Sequence, residues 1–345
     1  MGHWTKPYKL QPTAAKSVQI IQFIMSFGSM RTQYFPPAPT FTEKDIGKQD
    51  GKVFIVTGGN QGVGLELIKM LYPTGATIYM ASRSEERAQA AIKEVTSVDP
   101  TKASHVKFLH LDLADLNSVR SAAAAFADQE SRLDILWNNA GVGGQPVGSK
   151  TKQGIEMHMG VNVIGPLLFT ELLLPQIKAA AASSPKDSVR IIWTSSWMAE
   201  GGSPKGGFVL EDLKNGGTKD AYNNYGTSKA SNWIIANEAA NRWGKDGIIS
   251  VVQNPGNLQT QIYDTQPKLM MFFVNMILYP PKQGAYTELF AGLSPEITEK
   301  HQGAYIIPWG RIQPRNPRED IYEAIESGKG KELWDWCEEQ IKAHA

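Results

Sequence analysis

The stretch KVFIVTGGNQGVG, residues 52–64, decides the fold of this chain. Its first residues are mostly apolar and β-branched, which predicts a buried strand over Lys52–Thr57. A glycine-rich turn then leads into Gly62–Tyr72, where apolar residues recur with helical spacing. Such a turn lets a phosphate approach the free amides at the helix N-terminus. A tight turn without a ligand needs the same glycines, so this stretch alone leaves both interpretations open.

Beyond residue 72, short apolar runs alternate with helical patterns. Strands that are apolar on both faces and alternate with helices imply a parallel sheet covered on both sides. We therefore expect an α/β fold with a Rossmann-type, doubly wound parallel sheet of about seven strands in a single domain. The further strands are predicted at Thr77–Ala81, Val106–His110, Asp134–Trp137, Arg190–Thr194, Ile248–Gln253 and Ala304–Ile307. The further helices are predicted at Glu85–Val95, Asn117–Glu130, Gly154–Ala180, Tyr222–Trp243 and Glu332–Ala343.

The N-terminal residues 1–45 are predicted to form an extension ahead of one catalytic domain over residues 46–345. Within the extension, Ser17–Met30 is moderately apolar but too short and too polar to span a bilayer. It fits a helix packed on the protein or a partner subunit, an interfacial membrane helix, or a targeting segment. The proline-rich residues Pro36–Pro39 predict an extended linker.

Composition excludes several classes of protein. The 345 residues include 35 Lys and Arg against 34 Asp and Glu, a formal charge of +1, which gives no indication of a nucleic-acid partner. Cys337 is the only cysteine, so internal disulfides and cysteine-based metal sites are excluded, and we predict no metal site. No run of 18 apolar residues predicts a transmembrane helix. We expect a cytoplasmic protein, with peripheral membrane contact through residues 17–30 as the alternative.

A tyrosine and a lysine lie one helical turn apart in the predicted helix over Tyr222–Trp243. Tyr225 and Lys229 are at positions i and i+4, which places both side chains on one face. A free tyrosine has a pKa of about 10, but a nearby ammonium favours the phenolate and lowers that pKa. Tyr225 is therefore a candidate general acid or base for interconverting a carbonyl and an alcohol. Tyr222 is a weaker candidate because Gly226, not a lysine, follows four positions later.

The glycine spacing TGxxxGxG, from Thr57 to Gly64, resembles that of the short-chain dehydrogenase/reductase family. Other family segments follow in the expected order, and the resemblance covers residues 51–260 closely and the remainder loosely. The long stretch Trp197–Ala221 is similar to an insertion in the retinol-dehydrogenase-like branch. The matching segments are Asp112 in HLDL, Asn138–Gly141 (NNAG), Asn162 in VNVIG, Ser195-Ser196, Tyr225–Lys229 (YGTSK), and Pro255-Gly256 with Thr260.

The resemblance implies a division of catalytic roles. Tyr225 exchanges a proton with the substrate oxygen, while Lys229 lowers the tyrosine pKa and binds the nicotinamide ribose. Ser196 donates a hydrogen bond to the substrate oxygen, with Ser195 as the alternative. Asn162 holds a water that links the lysine to solvent; the alternative is a polar residue that bonds to its own helix backbone.

The cofactor is expected to be NADP rather than NAD. The second strand ends in MASRS, residues 80–84, without the acidic residue that normally selects NAD. Arg83 lies there instead, and a guanidinium can bind the 2′-phosphate of NADP, although a plain surface arginine fits the same position. Asp112 has the alternative role of a helix N-cap, and Asn138 that of a structural strand end. The predicted cofactor contacts are Gly58, Asn60, Gln61, Gly62, Val63, Gly64, Arg83, Asp112, Leu113, Asn138, Ala140, Gly141, Tyr225, Lys229, Pro255, Gly256, Leu258 and Thr260.

A segment rich in methionine and aromatic residues follows the last family motif. The resemblance places a mobile substrate lid here, over about residues 257–283. The Met and Phe residues of Ile262–Tyr279 suit a lipophilic carbonyl or alcohol, such as a steroid, a retinoid-like compound or a secondary metabolite. They fit a protein core or a subunit interface as well. Family members commonly form dimers or tetramers, so a homo-oligomer is expected.

Three classes of function fit this fold. The first is an oxidoreductase that transfers hydride between NADP and a small-molecule carbonyl or alcohol. The second is a catalytically silent scaffold that only binds the cofactor, and the third is an epimerase or lyase. The presence of Ser196, Tyr225 and Lys229 together favours the oxidoreductase over the silent scaffold. Epimerases and lyases of this fold usually have another glycine spacing and a larger C-terminal substrate domain.

Overall fold

A computed structural model describes residues 32–259, 278–313, 316 and 318–344 of the chain. Within these ranges eight strands form one sheet in the order β3-β2-β1-β4-β5-β6-β7-β8. Neighbouring strands are parallel except β7 and β8, which are antiparallel. The strands are β1 (Val53–Thr57), β2 (Thr77–Ser82), β3 (Val106–His110), β4 (Ile135–Asn138), β5 (Val189–Thr194), β6 (Ile248–Gln253), β7 (Tyr305–Ile307) and β8 (Arg311–Ile312).

The strand order reverses between β1 and β4. The chain runs outward from β1 to β2 and β3 and then returns to the opposite side of β1. In open parallel sheets, ligands bind in the crevice at the carboxyl ends of the strands that flank such a reversal. The predicted doubly wound Rossmann-type α/β sheet is confirmed, and the two-residue strand β8 adds an antiparallel edge that the sequence did not predict.

The sheet is covered by helices on both faces. The longer helices are α1 (Gly62–Leu71), α2 (Glu85–Thr96), α3 (Leu116–Ala127), α5 (Gly165–Leu172), α6 (Leu174–Ser183), α9 (Ala221–Trp243), α10 (Pro281–Leu293), α11 (Glu319–Glu326) and α12 (Lys329–Lys342). The short ones are α4 (Met157–Met159), α7 (Met198–Gly201) and α8 (Leu210–Lys214), with a π-helical turn at Gly160–Ile164 and 3₁₀ turns at Tyr72–Thr74, Pro100–His105, Gly244–Asp246 and Glu299–His301.

Two hydrophobic clusters fill the space between the helices and the sheet. Helices α1, α2 and α10 pack on one face, and α3, α5 and α9 pack on the other. Strands β1, β5 and β6 are buried along their whole length, as parallel strands covered on both faces must be. Four tryptophans are almost completely buried, and they are Trp137, Trp193, Trp233 and Trp334.

The single long helix predicted over Gly154–Ala180 is wrong. Gly154 has a left-handed φ of +79°, and the helical path begins only at Met157. It passes through the π-helical turn, breaks at Leu173 and bends by 58° into α6. Pro175 lies in the first turn of α6, and it has no backbone N–H to donate the hydrogen bond that would continue the helix from α5 across Leu173. In the described ranges no single helix is long and apolar enough to span a membrane, and only this bent pair reaches the required length and apolarity when both parts are counted.

Part of the predicted N-terminal extension lies against the domain. Pro36–Pro39 contains neither helix nor strand, as expected for an extended segment. Directly after it, Phe41 is 8% exposed and its ring lies perpendicular to that of Phe290 at 6.2 Å. Ser17–Met30 and most of the predicted lid lie outside the described residues. The domain boundary at residue 46 therefore stays a prediction.

The close packing around Gly64 can be tested by substitution. A Cβ atom at this position would lie 2.7 Å from the Gly58 carbonyl oxygen and 2.7 Å from Asn139 Nδ2. We expect Gly64→Ala to lower the free energy of unfolding by about 1–3 kcal/mol, because overpacking here outweighs the roughly 1 kcal/mol gain in helix propensity. Denaturant unfolding measures the change, and Gly47→Ala, where a Cβ would meet nothing within 4 Å, is the control. Equal stability of both variants would contradict the prediction.

Candidate active site

The glycine-rich turn lies at the crevice between β1 and β4. Gly58 has a φ of +68°, a left-handed conformation that favours glycine, and its amide donates to the Ala81 carbonyl at 2.7 Å. The turn ends at Gln61, the N-cap of α1, whose side chain makes no capping hydrogen bond. The first amides of α1 are thus left without a side-chain acceptor, and no acidic residue lies in its first turn. This is the arrangement that binds a phosphate at a helix N-terminus.

Asn139 forms a hydrogen bond that holds this turn in place, a role that the sequence analysis missed. Its Nδ2 donates to the Thr57 carbonyl at 2.7 Å, and the Ala140 amide donates to Thr57 Oγ1 at 2.9 Å. The predicted contact Asn138 is placed differently, because its Nδ2 donates to Thr170 Oγ1 on α5 at 3.0 Å. The side chain of Asn138 is 4% exposed, and this bond joins the end of β4 to α5.

The end of β2 offers two polar groups to a ligand. The hydroxyl of Ser82 is buried and has no hydrogen-bond partner in the described part of the chain. Arg83 is exposed, and Ser84 caps α2 by accepting a bond from the Arg87 amide at 3.4 Å. An orphaned buried hydroxyl beside an exposed guanidinium fits the ribose and phosphate end of a dinucleotide.

The residues after β3 form a tight turn. Asp112 Oδ1 accepts a bond from the Ala114 amide at 3.0 Å, and the Asp112 amide donates to Ser118 Oγ at 3.0 Å. Asp115 is the N-cap of α3, so the alternative role of Asp112 as that cap is wrong. Leu113 is 6% exposed and belongs to the core. The contact of Asp112 with a cofactor stays a prediction.

Tyr225 and Lys229 lie on one face of α9, as predicted. Lys229 Nζ is 5.8 Å from the centre of the Tyr225 ring and donates to the Thr194 carbonyl at 2.9 Å. Tyr225 is partly buried, whereas the side chain of Tyr222 is 55% exposed. The structure therefore places Tyr225 beside the lysine and the end of β5, and Tyr222 toward solvent.

The two serines after β5 have different environments. Ser195 is 1% exposed and its hydroxyl donates to the Lys229 carbonyl at 2.8 Å, so its hydrogen is already used. Ser196 is partly exposed, and its Oγ accepts a bond from the Met198 amide at 3.2 Å. That bond leaves the hydroxyl hydrogen of Ser196 available to a substrate oxygen, which favours Ser196 over Ser195.

Asn162 joins the loop after β4 to helix α9. Its Oδ1 accepts from the Val142 amide at 2.7 Å, and its Nδ2 donates to the Val142 carbonyl at 2.9 Å and to Ser228 Oγ at 3.0 Å. A Cβ on Gly141 would lie 3.1 Å from Asn162 Oδ1 and 3.2 Å from Lys229 Nζ. The glycine, the asparagine and the lysine are thus in close contact. The carboxamide of Asn162 holds protein groups here, and its predicted water-binding role stays a prediction.

A buried carboxyl group lies behind Lys229, and the sequence analysis missed it. Glu288 on α10 is completely buried, and its Oε1 accepts from Thr194 Oγ1 at 2.9 Å and from Gln253 Nε2 at 2.7 Å. Burial lowers the pKa of Lys229 to about 8, and the charge of Glu288 acts in the opposite direction. Burial also raises the pKa of Glu288 to about 8. No short sequence pattern links Glu288 to β5, since 94 positions separate it from Thr194.

A second buried pair packs beside Tyr225. The ring centre of His158 is 5.8 Å from that of Tyr225, and His158 Nδ1 lies 2.8 Å from Glu156 Oε1. The Gln145 amide donates to His158 Nε2 at 3.4 Å. His158 therefore connects the loop after β4 with the face of α9 that carries Tyr225. The sequence analysis missed this pair as well, because neither residue belongs to a family segment.

The segment after β6 is only partly described. Gly256 has a φ of +92°, and its amide donates to Asn254 Oδ1 at 3.0 Å. Leu258 is 4% exposed and packs against Gly284 of α10. Thr260 lies outside the described residues. Within the described ranges, no group of three or more His, Cys, Asp and Glu side chains is arranged to bind a metal ion.

Comparison with known proteins identifies the class of protein. Residues 52–208 match the model of the short chain dehydrogenase family. A short-chain dehydrogenase/reductase of Pestalotiopsis fici is 56% identical over 317 residues, which cover 90% of this chain and 97% of that protein. A short-chain dehydrogenase/reductase of Phomopsis amygdali is 45% identical over 336 residues, covering 92% and 99%. The chain belongs to the short-chain dehydrogenase/reductase family of oxidoreductases.

A solved structure supports the same fold. The NADPH-bound carbonyl reductase from chicken fatty liver superposes with a TM-score of 0.58 and 23% sequence identity. The match covers 77% of this chain and 99% of that chain. The shared architecture is the Rossmann-type sheet with its crevice at the carboxyl ends of the strands.

The burial of Lys229 has a measurable cost. The pKa of Lys229 in the folded chain, about 8, lies below its ordinary value of 10.5, so the unfolded chain binds more protons between these pH values. The resulting loss in the free energy of unfolding is largest below pH 8, and it disappears as the pH rises toward 10.5. We expect Lys229→Met to raise the free energy of unfolding at pH 7 by about 1–3 kcal/mol, and by less at pH 10.

Denaturant unfolding at the two pH values measures this difference. The exposed Lys93→Met on α2 is the control and should change stability little at either pH. A Lys229→Met variant that is less stable than the wild type at pH 7 would show that the bond to Thr194 outweighs the cost of burial.

Proposed function

We propose that this protein is an NADP-dependent oxidoreductase that interconverts a carbonyl and an alcohol, with Tyr225 as the general acid or base. One observation carries the proposal. Tyr225 and Lys229 share one face of α9, and Lys229 Nζ is bonded to the Thr194 carbonyl, two residues before Ser196. A phenol and an ammonium thus lie beside the end of β5, and the proposed substrate-binding serine follows that strand end by two residues.

Observed features of the crevice fit a dinucleotide. The uncapped amides at the start of α1 would hold the pyrophosphate, and Ser82 and Arg83 would hold the adenosine end. Lys229 would bind the nicotinamide ribose after exchanging its bond to Thr194. When bound, the nicotinamide cofactor supplies or accepts the hydride.

Three side chains of the protein carry out and support the proton transfer. In the direction of reduction, the carbonyl carbon gains a hydride, and Tyr225 Oη gives its proton to the carbonyl oxygen to form the alcohol. Ser196 donates a hydrogen bond to that oxygen and stabilises its developing charge. Lys229, when protonated, favours the phenolate left on Tyr225. Solvent then returns one proton to Tyr225, so each turnover consumes one proton and one hydride.

Three observations support NADP over NAD. The end of β2 carries Ser82 and Arg83 and no carboxylate that would repel a 2′-phosphate. Arg83 is exposed, so its charge is available to a ligand. The similar chicken carbonyl reductase is itself NADPH-bound.

The substrate is proposed to be a lipophilic small molecule. Trp197 directly follows Ser196, and its ring lies edge-on to that of Tyr34 at 5.4 Å, so aromatic surface lies next to the reacting group. Secondary-metabolite, steroid-like and retinoid-like carbonyls all suit such a surface. Assembly into a homo-oligomer, a cytoplasmic location and peripheral membrane contact through residues 17–30 stay part of the proposal.

Substitution of Tyr225 tests the reaction. We expect Tyr225→Phe to lower turnover of NADPH with carbonyl substrates by about a hundredfold or more, because no other group in this position donates the proton. Tyr222→Phe, on the same helix but exposed to solvent, is the matched control and should keep turnover near the wild-type level. NADPH absorbance at steady state, over a panel of lipophilic ketones and aldehydes, measures both variants.

Two results would overturn the proposal. NADPH binding without turnover of any compound on a broad panel would indicate a silent scaffold. Product formation without net change in cofactor would indicate an epimerase or a lyase.

Arg83 tests the choice of cofactor. We expect Arg83→Ala to raise the dissociation constant of NADPH by about tenfold or more and that of NADH by less than twofold, because only NADPH carries the 2′-phosphate. Fluorescence titration of each nucleotide gives both constants. Lys93→Ala, which removes an exposed cation farther along α2, is the control. An equal loss for both nucleotides would contradict the assignment.

A further inference from the structure

The described N-terminal residues reach into the end of the sheet that carries the site. Gln33 is 2% exposed, although it belongs to the predicted extension. Its Oε1 accepts from Asn254 Nδ2 at 2.7 Å, and its Nε2 donates to Glu200 Oε1 at 2.6 Å. Both ends of one buried carboxamide are therefore bonded to different segments of the domain.

The two segments are the ones that continue from β5 and β6. Glu200 lies on α7, which begins two residues after Ser196, and the Met198 amide of α7 donates to Ser196 Oγ. Asn254 directly follows β6, and its Oδ1 accepts from the Gly256 amide at 3.0 Å. Gln33 thus links the serine segment to the glycine segment that is proposed to face the nicotinamide.

In the described ranges, no backbone hydrogen bond joins Ser196 directly to the residues that follow β6. The pairing of β5 with β6 ends at Thr194 and Gln253, and one further bond joins the Ser195 amide to the Gln253 carbonyl at 2.7 Å. Ser196 and Gly256 lie beyond that last bond. Their separation therefore depends on side chains that bridge the gap: the Tyr305 hydroxyl of β7 donates to the Ser196 carbonyl at 3.1 Å, and Gln33 bridges from the other strand end through Glu200 and Asn254.

Two further contacts fix the position of Thr32–Tyr34. Arg311 Nη2 donates to the Thr32 carbonyl at 2.9 Å, and the ring of Tyr34 lies edge-on to that of Trp197 at 5.4 Å. Asn316 Nδ2, in the C-terminal part of the chain, donates to the same Glu200 Oε1 at 2.8 Å. The carboxylate of Glu200 is consequently held between the N-terminal and C-terminal segments.

We propose that Thr32–Tyr34 completes one wall of the active site and that Gln33 is a positioning residue, which sets the distance between the Ser196 segment and the Pro255-Gly256 segment. This inference rests on the proposed function. Removing the carboxamide takes one hydrogen-bond partner from Asn254 Nδ2 and one from Glu200 Oε1, which keeps its bond from Asn316, and the loss of hydrogen bonds is costly in a buried site. The two segments would relax apart, and the substrate oxygen would no longer meet Ser196 in the productive geometry.

The experiment compares kinetics with nucleotide binding. We expect Gln33→Ala to lower kcat/KM for a carbonyl substrate by about tenfold, with a rise in substrate KM as well as a fall in kcat. The dissociation constant of NADPH, measured by fluorescence without substrate, should change by less than twofold, because the proposed phosphate contacts at the α1 N-terminus and at Arg83 lie on segments that Gln33 does not bridge, and only the Pro255-Gly256 contact is shared. Phe35→Ala, at a neighbouring residue that is 64% exposed, is the matched control.

Introducing a charge at Gln33 tests whether its contact with Glu200 affects kcat/KM. Gln33→Glu places a second carboxylate against Glu200 and should lower kcat/KM more than Gln33→Ala does. Adding Glu200→Gln should recover part of that loss, since it removes the repulsion. Glu200→Gln alone keeps the acceptor and the side-chain length, so it should fold even if Gln33→Ala does not, and it should cost about threefold in kcat/KM.

The outcomes separate this inference from the proposed function. A wild-type protein that reduces no carbonyl would overturn the proposed function and, with it, the role of Gln33. An active wild type whose Gln33→Ala variant keeps kcat and KM within twofold would overturn the positioning role alone. A variant that loses kcat in proportion to folded protein, with unchanged KM, would show that Gln33 contributes only stability.

Discussion

The hydrogen bond from the Lys229 ammonium to the Thr194 carbonyl is the interaction on which the candidate site depends. It joins α9 to the end of β5 in a place where the lysine is 4% exposed. Because burial disfavours the charged form and lowers the pKa of Lys229 to about 8, the site must supply compensation. The Thr194 carbonyl supplies it by accepting a hydrogen bond from Lys229 Nζ at 2.9 Å, and a charge on Glu288, when that carboxyl is ionised, acts in the same direction. The same lysine lies beside Tyr225. The burial of Lys229 therefore lowers the free energy of unfolding, while the proposed proton transfer needs its ammonium beside the tyrosine.

The crevice is shaped by bonds between segments that are distant in the chain. Asn139 holds the end of β1, Asn162 holds the loop after β4 against α9, and Ser195 holds the backbone of α9 against β5. Each is a short polar side chain at the carboxyl end of a strand or in the π-helical turn. Parallel strands end at one edge of the sheet, so these side chains meet there whatever their separation in sequence. Gln33 extends the same principle to the N-terminal segment.

Much of the site was predictable because its chemistry is local. The i, i+4 relation of Tyr225 and Lys229 follows from helical geometry alone, and the positive φ of Gly58 belongs to a turn of a few residues. The rest was not predictable for a physical reason. Glu288 and His158 reach the site only through packing of their helices on the sheet, and the helix predicted over Gly154–Ala180 failed because a left-handed glycine and a proline interrupt it.

The sequence by itself determined the family, the alternation of strands and helices, and the tyrosine and lysine pair, since each is encoded in residues close together in the chain. Only the tertiary structure decided which serine hydroxyl is available, which asparagine of the NNAG segment supports the glycine turn, and where Thr32–Tyr34 lies. These outcomes depend on hydrogen bonds between distant segments, such as Ser195 with Lys229 and Gln33 with Asn254. A bond of that kind forms only when the fold brings its two groups together, and no periodicity in the sequence records it.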